Sequence, residues 1–183
     1  MRRRFRGGRL ARPNPARQVP PALLRANQLF TGGDYRAAAA AFDELARRAE
    51  MRGGPNAGRF ALRAGEAWVM AGDVQTGMAR IKDGLNALIA AGNLAALGRI
   101  GPRVVRELTE RGLTAEAEEV TGLLRQRLPG FSATPSAPGP VGRVTLPTHC
   151  PGCGAPLRPD EVEWLDAASA ECDYCGSLIR PDR

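Results

Sequence analysis

Between Ala22 and about Leu128, apolar positions return every three to four residues, the period of a helix with one buried face. Ala38, Phe42, Leu45 and Ala49 form one such stripe, and Ala117, Val120, Leu124 and Leu128 form another. Gly33, Gly72 and Gly112 punctuate this pattern at intervals of 39 and 40 residues. Each is expected to end a helix, since glycine tolerates the left-handed backbone of a C-terminal cap. Asp34, Asp73 and Thr114 follow as N-caps of the next helices, their side-chain oxygens accepting from unpaired backbone N–H groups. Gly98, Gly101 and Pro102 predict a kink or a restart near residue 101. Outside this region the periodicity stops. Residues 1–20 show none and should be disordered. Residues 129–147 form a Pro/Gly/Ser/Thr linker. Residues 148–183 are a small separate module, in which EVEW and SAECD read as strands joined by a turn at Leu165–Ala168.

The glycine spacing implies an internal repeat of helical hairpins. ANQLFTGGDYRAAAAAF, Ala26 to Phe42, resembles the tetratricopeptide repeat, a stacked helix–turn–helix unit. A second unit carries Gly65, Trp68 and Gly72–Asp73, and a third, around Gly112, has no aromatic residue. The longer period departs from the family pattern, and a generic antiparallel helical bundle is the competing architecture. The fold class expected is therefore mainly α, antiparallel hairpins of a tetratricopeptide-like solenoid over residues 21–128, plus a small β module. The resemblance implies a concave face made by the first helix of each pair. Asn27, Arg59, Arg63, Arg103 and Arg106 are expected at its exposed positions, suited to an acidic peptide or a C-terminal carboxylate.

All four cysteines lie in the C-terminal module as two C-x-x-C-G pairs, Cys150/Cys153 and Cys172/Cys175, with 18 residues between the pairs. This is the spacing of a tetrahedral metal site. Each pair makes a turn that aims two sulfurs at one ion, and Gly154 and Gly176 let the backbone fold beneath them. Four sulfurs leave no open position for water, so the ion, one zinc per chain, is expected to be structural. CPGCGAPL and CDYCGSLI resemble the knuckles of a zinc ribbon, with Trp164 beside the site. They are also similar to rubredoxin knuckles, which hold a redox iron, so iron is the alternative. A helical domain joined to such knuckles is similar to rubrerythrin, but His149 is the only histidine and a Glu-x-x-His di-iron centre cannot be assembled. His149 itself reads as a flanking residue. A module of about 35 residues is too short to fold by apolar burial alone, so metal binding would supply its folding energy. Two disulfides are the remaining alternative, disfavoured by the lack of a secretory leader pattern.

Charge changes the picture in one place. Residues 1–20 hold seven arginines and no acid, equal to the whole formal net charge of +7. Residues 21–129 are nearly balanced, and the cysteine module is acidic. The high pI thus describes an arm, in which Arg2, Arg3, Arg4, Arg6 and Arg9 are candidate polyanion contacts. An inert, compositionally biased tail is the other reading of it. No apolar run approaches the roughly 20 residues of a membrane helix, and a cytoplasmic protein is expected. The chain has no P-loop, no dinucleotide turn and no nucleophile motif. The function expected is a non-enzymatic protein–protein interaction or adaptor protein with a structural zinc ribbon. Nucleic-acid binding through the arm and electron transfer by an iron-loaded module are the alternatives.

Overall fold

Five turns of one kind order the helical region of the computed structural model, which describes residues 21–54, 56–128, 131, 145–151, 153–158, 162–166, 169–172, 175 and 178–180. Gly33, Gly53, Gly72, Gly92 and Gly112 all have φ between 62° and 86°. At the first, Gly33 N–H donates to the Phe30 carbonyl and Asp34 N–H to the Leu29 carbonyl, the paired bonds of a Schellman cap. The same pairs recur at Gly53–Gly54, Gly72–Asp73, Gly92–Asn93 and Gly112–Leu113. Four of these turns close one helix and open the next on a single residue. Asp34, Asp73 and Asn93 each accept from the backbone N–H three residues on. The fourth differs from expectation. Leu113 occupies the N-cap position and Thr114 is already the first helical residue, so no side chain caps that helix.

Among the described residues six helices result: α1 (Pro21–Thr31), α2 (Tyr35–Met51), α3 (Ala57–Met70), α4 (Val74–Ala90), α5 (Leu94–Glu110) and α6 (Thr114–Arg127). They pack in sequence as the hairpins α1–α2, α3–α4 and α5–α6, with α3 also against α2. α5 continues as one helix through Pro102, so of the expected kink or restart the restart does not occur. Its apolar stripe of Ala96, Leu97, Ile100, Val104, Val105 and Leu108 is buried throughout. At roughly 1.5–3 kcal/mol for each large side chain, that burial outweighs the roughly 3 kcal/mol cost of an interior proline.

α3 and α4 approach closely, with glycines at the contact. A Cβ on Gly65 would stand 2.7 Å from the Gly77 carbonyl oxygen, and one on Gly77 2.8 Å from that of Gly65. Gly58 and Gly84 face each other in the same way at 2.9 and 2.7 Å. Backbone carbonyls and the side chains of Leu62, Val69 and Ile81 together fill this interface.

The C-terminal region adds three short antiparallel strands in the order β1 (Glu163–Asp166), β2 (Ser169–Glu171), β3 (Leu178–Ile179). Trp164 pairs with Ala170, and the register shifts before Asp166 meets Ser169. β1 therefore continues through Leu165 and Asp166, which the sequence pattern assigned to the turn. The interior divides in two. One cluster joins α3–α6 through Leu62, Ile81, Leu85, Leu97, Val104, Val120 and Leu124. The other joins α1, α2 and part of α3 to the cysteine region. Among the described residues no helix is long and apolar enough to cross a membrane.

Candidate metal centre

The first cysteine pair sits on a short hairpin. Cys150 N–H donates to the Ala155 carbonyl at 2.8 Å, Gly154 N–H returns to the Cys150 carbonyl at 2.8 Å, and Leu157 N–H reaches Thr148 at 2.9 Å. His149 and Pro156 pair across it. Gly154 takes φ +71° to close the turn. The sheet carries the second pair, with Cys172 directly after β2 and Cys175 ahead of β3. The four sulfurs meet, all within 4.8 Å of one another.

The distances discriminate between chemistries. Cys150 Sγ lies 3.7 Å from Cys175 Sγ, and Cys153 Sγ lies 3.9 Å from Cys172 Sγ. A disulfide needs about 2.05 Å, and all four thiols are free. Sulfurs bound at about 2.3 Å to one tetrahedral ion stand about 3.8 Å apart. The arrangement therefore fits a metal ion, and the four cysteines can hold one. Cys150, Cys153 and Cys172 are buried and Cys175 is half-buried. Trp164, also half-buried, packs on the cluster that contains them.

Electrostatics agree. The Cys150 thiol is held far below its ordinary value because Cys153, Cys172 and Cys175 donate to its sulfur. The Cys153 thiol is pushed up, first by Cys150. Cys172 is pushed up by all three neighbours and by burial. Four thiolates so close together require a multivalent positive charge at their centre. His149 is exposed, with Nδ1 3.1 Å from the Thr148 hydroxyl, and takes no place among the four.

Asn27 belongs to this region and not to a peptide groove. It is 1% exposed, and its Nδ2 donates to the Cys153 carbonyl at 2.8 Å. Its amide nitrogen is engaged within the chain, so the expected exposed contact is corrected. Arg63 and Arg103 are likewise buried, at 5% and 7% exposure. Arg63 donates to Glu66 at 2.7 Å and Arg103 to the other oxygen of Glu66 at 2.8 Å. The Arg63 guanidinium also stands 4.2 Å over the Phe30 ring. The reason is α3, enclosed by α2 and α4, which leaves no open face where Arg63 projects. Arg59 and Arg106 are half-buried, and Arg106 lies 3.9 Å from Glu110. The structure does not bring these five residues together as a surface. Arg2, Arg3, Arg4, Arg6 and Arg9 lie outside the described residues.

A second concavity escaped the sequence reading. α2, α3 and α4 border a groove of about 840 Å³ with alanines in its lining, among them Ala61 and Ala87. Three of its lining residues form a short relay. Trp68 Nε1 donates to Asp43 Oδ2 at 2.9 Å, and Arg80 Nε reaches Asp43 Oδ1 at 2.9 Å. The alanine spacing Ala57/Ala61 was the available signal, but small residues mark buried interfaces as well as grooves. Comparison of the chain with protein-family models, curated proteins and solved structures finds no match to any of them.

Proposed function

We propose that this is a non-enzymatic interaction protein, built from tetratricopeptide-like hairpins and a zinc-ribbon module whose single zinc is structural. The observation that carries this reading is the closed set of four sulfurs at tetrahedral spacing, three of them buried. A zinc ion bound there supplies folding energy and charge neutralisation, with no position left for a substrate. Zinc is favoured over iron because two C-x-x-C pairs 18 residues apart have the ligand spacing of a structural zinc site. The partner-binding role is assigned to the α2–α3–α4 groove, in place of the buried Asn27, Arg63 and Arg103. An open groove lined by alanines, Trp68, Arg80 and the acids Glu44, Glu50 and Asp83 suits a protein segment better than a small metabolite. Residues 1–20, with seven arginines and no acid, support a second reading in which the arm contacts polyanions.

Crosslinking in cells tests the interaction role. The wild type should capture a partner that Arg80→Glu loses while its zinc content stays unchanged. Equal capture by both proteins would remove the groove from the account.

A further inference from the structure

The C-terminal module returns to the beginning of the helical array. α1 is the terminal helix, and α2 is its principal helical neighbour. A stacked array of helices leaves an apolar face open at each end unless something covers it. Yet Leu23, Ala26 and Asn27 of α1 are at most 2% exposed. Leu23 and Ala26 share one cluster with Leu146, Cys150, Cys153, Ala155, Leu157 and Ile179. The contact is close, because a Cβ on Gly154 would lie 2.8 Å from Leu24 Cδ1. At its centre, the buried Asn27 amide donates to the backbone carbonyl of Cys153, one of the four sulfur residues.

We propose that the cysteine module is a metal-dependent end cap of the helical array, with Asn27 as the positioning residue that ties the first knuckle to α1. This rests on the metal reading above. A module this small cannot hold its own shape by apolar burial. Loss of the ion therefore frees the knuckle that carries the Cys153 carbonyl. Asn27 then loses the acceptor of its buried amide, and the apolar side of α1 loses its cover. Coupling runs the other way by the same bond. Partners that orient the residues of a metal site typically change metal affinity by about 10–100-fold when altered.

Two measurements on the full chain test this. The first compares amide hydrogen exchange of the zinc-loaded protein with and without a chelator. Amides of α1 should exchange faster by about tenfold or more after chelation, while those of α6 stay unchanged. The second titrates Zn²⁺ against a competing chromophoric chelator. Asn27→Asp keeps the shape but places an acceptor against the Cys153 carbonyl, and it should weaken zinc binding by about tenfold. The exchange measurement needs no variant, so poor folding of Asn27→Asp does not obscure the outcome. Zinc bound by the wild type with α1 exchange indifferent to its removal overturns the cap and leaves the metal reading standing. A wild type that binds no zinc overturns both.

Discussion

Gly77 has no room for a methyl group. Its Cβ would press on the Gly65 carbonyl oxygen at 2.8 Å and the Val69 nitrogen at 2.9 Å, backbone atoms that cannot swing aside. Gly77→Ala should therefore destabilise by about 1–3 kcal/mol, despite alanine's better helix propensity. Gly122 in α6 has open space where a Cβ would go, so Gly122→Ala should gain about 0.8–1 kcal/mol. Denaturant midpoints of the two variants check the opposite signs. Glu66 is the other residue whose removal is felt widely. Glu66→Leu leaves two buried guanidinium groups without their shared carboxylate and should cost about 3–5 kcal/mol. A neutral result in thermal unfolding would mean that other groups already neutralise them. The four cysteines were legible from sequence because ligand spacing is local. Arg63 and Arg103 were not, because a charge read alone carries no burial. Only Glu66, three residues after Arg63, hinted at the pair. Asn27 was picked out by its place in the repeat, but its acceptor lies 126 residues away, beyond the reach of any local pattern.

Among the elements, the turns were the readable part. A left-handed glycine is a requirement of one residue's own backbone, and so Gly33, Gly72 and Gly112 stood out at a regular interval. Gly53 and Gly92, which join one hairpin to the next, make the same caps but fall outside that interval. Thr114 misled because its type suits a cap, while the Gly112–Leu113 Schellman pair fixes the helix start one residue earlier. Pro102 does not restart the helix, because the buried stripe of α5 overrides its local cost. Replacing it restores a backbone donor towards the Gly98 carbonyl. Pro102→Ala should raise the unfolding free energy by about 1–3 kcal/mol, measurable as a higher Tm. A lower Tm would show that the buried proline ring packs better than it disrupts.

At the scale of the whole molecule, the two cores make different predictions. The α3–α6 cluster contains none of the cysteines, and the α1–α2 cluster contains three among its buried residues. The spacer composition of residues 129–147 suggested two modules apart, but composition cannot show that the chain turns back onto α1. The arm bears its own test. If residues 1–20 bind single-stranded nucleic acid, about 5–7 phosphate contacts give a log–log salt slope near −3.5 to −5. Deleting the arm should abolish that binding, and unchanged binding by the truncated protein would move the site to the helical surface. The claim on which the rest depends is the ion itself. Elemental analysis of freshly purified full-length protein addresses it directly. The expected result is one zinc per chain, lost when Cys153 is replaced by serine. Protein free of metal, or a red protein carrying iron, would contradict it.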